Sequence, residues 1–236
     1  MTRLRAAAVL AAGVLLMGAA GARAALTIPN DLHHEDTTTP VAGPVYGVVV
    51  HGDVGQVVVQ TGPRATVALS RQWNFVAPTT SQSLSNGVLT VTTSCPQVPV
   101  PQNNCAVDVT ITLTAPASVQ AAANVGDLTT KAMTGDEVLQ AGVGQVHVSG
   151  LRAGTLTVRG NVSDITAELL NAPATVRLTT DNGDVGVTVP RGAYALTTST
   201  GRYTGDVHVD GVTNDARSPH TLVATSHIGD VTITGR

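Results

Sequence analysis

An all-β fold, a parallel β-solenoid or β-helix, is what this sequence predicts, and three observations carry that expectation. Charged residues make up 12% of the 236 residues and aromatics 2%, while 24 are Gly; a chain so rich in Val, Thr, Ala and Gly has little from which to build a helical core. Runs of period-two alternation, such as VYGVVV, GVLTVTT and AVDVTITLT, recur between Gly, Pro, Asn and Ser breaks, the pattern of short half-buried strands. A Gly-Asp-aliphatic phrase also returns, as HGDVGQV at 51, VGDLTT at 125, NGDVGVTV at 182, TGDVHVDG at 204 and IGDVTITG at 228.

Taken in order, residues 1–24 stand outside the fold. MTRLR is a basic start, AAAVLAAGVLLMGAA an apolar run and ARA before Ala25 a small-residue cleavage site, the pattern of a secretory signal peptide. The other reading, an uncleaved anchor, asks for an apolar run nearer ~20 residues. Removing 1–24 takes away Arg3, Arg5 and Arg23 and no acid, leaving 10 basic against 16 acidic residues. That balance argues against nucleic acid as a partner. No second hydrophobic segment follows, so no stable membrane insertion is expected after cleavage. Residues 25–44, polar and proline-bearing, read as a flexible leader; its His33, His34, Glu35 and Asp36 read as a solvated charge run ahead of a loose metal site.

Residues 45–236 read as one solenoid domain whose N-terminal part, to about 123, is less regular. Cys95 and Cys105 flank PQVPVPQNN, and in an exported chain such a pair is expected to form a disulfide; a redox or metal pair is the alternative, without the C-x-x-C spacing. From 124 the repeat is clear. Starts at Gly126, Gly144, Ser163, Gly183, Gly205 and Gly229 lie 18, 19, 20, 22 and 24 residues apart, so coils of about 20 residues with insertions are expected. Two and four residues beyond a start, Val146 and Val148, Ile165 and Ala167, Val185 and Val187, Val207 and Val209, and Val231 and Ile233 form an inward column. Seven beyond lie Met133, Leu151, Leu170, Pro190 and Val212. A second strand per coil supplies Leu139, Leu156 with Val158, Val176 with Leu178, and Leu222 with Ala224. TAELLNA at 166 falls where the repeat demands a strand. The glycine suits a corner that a Cβ would penalise, and the aspartate can accept backbone hydrogen bonds there.

These residues resemble a bacterial "putative adhesin" family of domains of unknown function, a β-solenoid family built on Gly-Asp-Val repeats. The matching text is VDVTITLTAPASVQAAANVGDL, NGDVGVTVPRGAYALTTSTGRYTGDVHVDG and TSHIGDVTITGR, spread over about residues 45–236 and densest after 124. Gln145 and Ser163 depart from the usual Asp and Gly. The resemblance implies an exported or envelope-associated protein without known catalytic residues.

Candidate sites are few. The row Asp164, Asp184, Asp206 and Asp230 would cap turns or bind calcium weakly, since stacked carboxylates repel and Ca²⁺ would relieve them; Gln145 interrupts the row. No other cofactor is expected. His147 and His208 share an outward column with Thr166 and Gly186 between them, a separation of about three rungs, and read as surface contacts. Trp73 and Phe75 in RQWNF are expected on one face of a strand, where they either close the N-terminal end of the core or form an exposed aromatic patch. The last strand, DVTITG, ends without an evident cap, an edge expected to support self-association or partner docking. No G-x-S-x-G, H-E-x-x-H or phosphate-loop pattern occurs. The function expected is therefore a non-catalytic binding or adhesion module, secreted or held at the bacterial cell envelope, with an envelope protein or glycan as partner. A polysaccharide-processing β-helix enzyme and a structural or sensory envelope accessory are the rivals.

Overall fold

AVDVTITL, residues 106–113, alternates valine, isoleucine and leucine with threonine and aspartate, and in the computed structural model it is a strand that buries Val107, Val109, Ile111 and Leu113. The structure describes residues 31–97, 104–152, 154–201 and 204–236; the expected signal peptide lies outside them. Every regular element among these residues is a strand. In chain order they are β1 (His33–Pro40), β2 (Gly47–Val54), β3 (Val57–Thr61), β4 (Thr66–Trp73), β5 (Thr79–Ser85), β6 (Val88–Ser94), β7 (Ala106–Leu113), β8 (Ser118–Val125), β9 (Leu128–Lys131) and β10 (Glu137–Val143). They continue as β11 (Val146–Leu151), β12 (Thr155–Val162), β13 (Ile165–Leu169), β14 (Thr175–Asn182), β15 (Val185–Val189), β16 (Gly192–Thr200), β17 (Val207–Asp210), β18 (Val212–Asn214), β19 (Thr221–Ile228) and β20 (Val231–Gly235).

Two ten-stranded sheets face each other across one dry interior. Sheet I runs β1-β4-β7-β3-β9-β11-β13-β15-β20-β17 and sheet II runs β18-β16-β19-β14-β12-β10-β8-β2-β6-β5. Consecutive strands such as β10 and β11 lie in opposite sheets, so each pair makes one coil, and the coils stack by parallel pairing. Leu128 pairs with Val146, Val146 with Ile165 and Ile165 with Val185, steps of 18, 19 and 20 residues. Most of the expected inward columns are buried: Val146, Val148, Ile165, Ala167, Val185, Val187, Val231 and Ile233 are at most 3% exposed, as are Leu139, Leu156, Val158, Val176, Leu178, Leu222 and Ala224. Each such aliphatic side chain removed from water contributes roughly 1.5–3 kcal/mol, but only once a neighbouring coil covers it.

Four features differ from expectation. Residues 33–40, placed in a flexible leader, form β1, antiparallel to β4 from His33 opposite Trp73 to Pro40 opposite Thr66. The seventh-residue column slips: β11 carries a bulge between Val148 and Leu151, with Gly150 at φ 66°, so Leu169 and Val189 are buried while Leu170 is 36% exposed. Within residues 45–123 the expected irregularity is present but narrow: β4 and β5 run antiparallel to β7 and β6, while β2–β3 and β6–β7 are parallel coils like the rest.

The fourth difference concerns order in space. The last coil of the chain, β19–β20, lies between β14–β15 and β16–β17. DVTITG is thus an interior strand, flanked by β15 and β17, and the expectation that it forms the exposed edge is corrected. The edge of sheet I is β17, whose Val207 and Val209 are 43% and 38% exposed. Symmetrically, β2–β3 lies between β6–β7 and β8–β9.

Candidate functional site

The Gly-Asp corner passes the chain from sheet II to sheet I. Gly144 has φ 145°, and a Cβ there would fall 2.2 Å from the carbonyl oxygen of Gly126 in the coil beneath; neither conformation nor space admits a side chain. The aspartate that follows links coils. Asp164 Oδ1 accepts the N–H of Asp184 at 2.9 Å, Asp184 Oδ1 that of Asp230 at 2.8 Å, and Asp230 Oδ1 that of Asp206 at 2.8 Å. Asp127 holds the N–H of Gln145 in the same way, so Gln145 interrupts the carboxylates and leaves a donor in place. The row therefore works as a directional stacking clamp. Among the described residues no group of three or more His, Cys, Asp or Glu is arranged to hold a metal ion.

Just before each corner glycine stands a residue that points outward. Val125, Val143 and Val162 are in register on successive coils, followed by Asn182 and Ile228. Val125, Val143, Val162 and Ile228 are 47%, 49%, 51% and 52% exposed. They make an aliphatic ridge along one corner. Beside it, on the outer face of sheet II, a groove of about 270 Å³ is lined by Ala122, Asn124, Gln140, Gly142, Arg159 and Asn161. Ala122 and Gly142 leave room there, and three amides and one guanidinium line it. On the other flank Gly144, Gln145, Val162, Asp164 and Asn182 line a second depression. Sequence reasoning missed the ridge, although the residue preceding Gly126, Gly144 and Gly229 is aliphatic in each case.

The remaining candidates lie apart. Trp73 ends β4 and stacks on His33, ring centroids 5.5 Å apart; it shares the strand parity of buried Val67. Phe75 lies beyond the end of β4, 37% exposed, and not on the strand. His147 and His208 share a column, but Thr166, Gly186 and Thr232 stand between them, four rungs and ~19 Å at the sheet spacing. The re-entrant last coil adds the extra rung. Cys95 and Cys105 form the expected disulfide.

One ionisable group went unnoticed in the sequence. Glu137 pairs with Val119 and Leu156 in a column that is otherwise aliphatic and is fully buried. Its Oε2 accepts from Thr130 Oγ1 at 2.9 Å, while Oε1 has no partner. Burial raises its carboxyl to about 7, against the opposing effect of the Thr130 hydrogen bond. It is sealed between coils and reaches neither groove, so it bears on stability rather than on surface chemistry.

No curated protein matches this sequence. Among solved structures, a "putative cell adhesion protein" from Clostridium sporogenes superimposes with a TM-score of 0.52 at 13% identity, covering 86% of this chain and 100% of that one. A "putative adhesin" from Bacteroides fragilis gives 0.46 at 15% identity, covering 87% and 97%. At such identities the first likeness is one of fold. The Toastrack DUF4097 family model matches residues 58–236, the span that holds all but the first of the stacked coils' strands, and the chain belongs to that family.

Proposed function

We propose that this protein is an exported, non-catalytic binding module of the bacterial cell envelope or extracellular space. The observation that carries the reading is the ridge Val125–Val143–Val162 with the amide-lined groove beside it. Half-exposed aliphatics in register on a rigid support, rimmed by polar groups, are what an interaction surface requires. An envelope protein fits this surface better than a neutral glycan, because sugar platforms are built from aromatic rings and none lines the groove. Export is supported by the N-terminal sequence and by the Cys95–Cys105 disulfide, which persists in oxidising compartments. The corner carboxylates are occupied in stacking, which weighs against paired-carboxylate glycan hydrolysis.

The test is binding of the folded chain to envelope-protein and glycan fractions, with Val143→Glu as the variant. Retained melting temperature with binding lost supports the ridge. Binding untouched by Val143→Glu, or turnover of a polysaccharide by the unmodified chain, rejects the reading.

A further inference from the structure

The last rung of the stack is incomplete. β17 has β20 on one side and, among the described strands, none on the other. Val207 and Val209 stand in register with fully buried Val231 and Ile233, so they close the inward columns, yet both are open to solvent. The backbone is equally unfinished. The N–H of Val231 donates to Asp206 O at 2.9 Å, and in a parallel ladder the peptide groups of alternate residues point to opposite sides. Asp206, His208 and Asp210 therefore turn theirs towards β20, and Val207 and Val209 turn theirs outward.

This edge reads the same in both directions: Gly205-Asp206-Val207-His208-Val209-Asp210-Gly211. Stacking explains the glycines, since a Cβ on Gly205 would fall 2.0 Å from Gly229 O and one on Gly211 2.5 Å from Gly235 O. Stacking does not explain His208 and Asp210, where β20 carries Thr232 and Thr234. We propose that β17 is an isologous docking edge for a second copy of this chain, the two strands pairing antiparallel about a two-fold axis at His208.

One register then pairs every open backbone group of the edge. His208 faces the partner's His208 as a non-hydrogen-bonded pair, as it must when its peptide groups are engaged by β20. Val207 faces the partner's Val209 as a hydrogen-bonded pair, using the peptide groups left open. Both valines lie on the inward face, so each is covered by the partner's. On the outward face Asp206 opposes the partner's Asp210, and each imidazole has the partner's Asp206 and Asp210 as diagonal neighbours. Within its own chain His208 is faced by Asp206 and Asp210, by Asp230 on the diagonal of β20 and by uncharged Thr232. The opposed acids repel, so the charge at positions 206 and 210 sets how tightly the two copies pair. The ridge is not involved, and the inference stands apart from the function proposed above.

Sedimentation of the folded chain tests it. At pH 7.5, Asp206→Lys sets a lysine against the partner's Asp210 and should tighten the dimer about tenfold; adding Asp210→Lys sets lysine against lysine and should remove the gain. His208→Cys should give a chain-linked dimer under oxidising conditions, because the two positions face each other. Melting curves identify any variant that fails to fold, and the cysteine cross-link then decides. A chain that stays monomeric at millimolar concentration, single and double lysine variants that associate equally, or a folded His208→Cys chain that does not cross-link, would each overturn the proposal.

Discussion

At the N-terminal end of the stack, β4 and β5 run antiparallel against β7 and β6, and β1 runs antiparallel against β4. At the C-terminal end, β17 and β18 have no strand beyond them among the described residues. The consequence is read in two inward valines: Val67 in β4, which β1 and β7 flank, is 1% exposed, and Val209 in β17, flanked by β20 alone among the described strands, is 38% exposed. The closed end is also cross-braced, since Asp53 of β2 accepts from Cys95 N at 2.9 Å and from Asn124 Nδ2 of β8 at 3.2 Å. The rung of β17 is held from one side, where Asp206 N–H donates to Asp230 Oδ1 at 2.8 Å. A solenoid gains stability coil by coil from its neighbours, so the two ends should differ in free energy, and the difference can be widened or erased.

The largest effect is expected from the middle of the stack, where the two ends are coupled. Glu137 titrates near 7 in the folded chain against 4.5 unperturbed. Its folded value is the higher one, so the folded state holds the proton longer and stability falls as pH rises from about 4.5 to about 7, the full penalty persisting above. The shift corresponds to about 3 kcal/mol. Glu137→Leu, matching Leu156 above it, should therefore stabilise the chain by about 3 kcal/mol more at pH 8 than at pH 4.5, measured by urea unfolding. In the unmodified chain at pH 8, hydrogen exchange should show the open C-terminal half parting before the capped half. An equal gain at both pH values would show that Glu137 is not buried as described.

Next comes the closed end itself. Replacing Cys95 and Cys105 with serine releases the loop between β6 and β7 and should cost roughly 2–3 kcal/mol. Val67→Ala should then cost about 2 kcal/mol, and Val209→Ala well under 1 kcal/mol in the monomer, because only the first removes methyl groups from a packed interior. Equal losses in thermal melts would mean that the C-terminal rung is covered after all.

The sequence made the coil interior legible because the strand period is local. Val185, Val187, Val231 and Ile233 are placed by alternation alone, and Gly144 by the conformation its corner demands. Order in space was not legible, because no local signal says that β19–β20 re-enters beneath β16–β17; the pattern of β20 is the same whether one neighbour covers it or two. The slip from Leu170 to Leu169 has a similar cause: a bulge at Gly150 changes the count within a coil without changing its composition. Glu137 was readable in principle, since it shares parity with Leu139 and Ala141, but an acid in an aliphatic column is the residue that pattern-matching sets aside. The ridge was not legible because a single valine before a corner has the composition of any strand end; only the register of stacked coils sets Val125, Val143 and Val162 side by side.

The smallest effect separates the same carboxylate in two settings. Asp184 Oδ1 holds the N–H of Asp230 in the coil above, whereas Asp206 belongs to the final rung and has no coil above it to hold. Asp184→Ala leaves a corner N–H to find water in a narrow turn and should cost about 1 kcal/mol; Asp206→Ala should stay within about 0.5 kcal/mol in the monomer. A stacking clamp predicts this asymmetry, because its strength depends on the next coil. A calcium row predicts something else: both losses would be comparable, and millimolar calcium would raise the melting temperature of the unmodified chain but not of the variants. The melting temperatures of the two alanine variants, with and without calcium, therefore distinguish a carboxylate that holds backbone from one that waits for a cation.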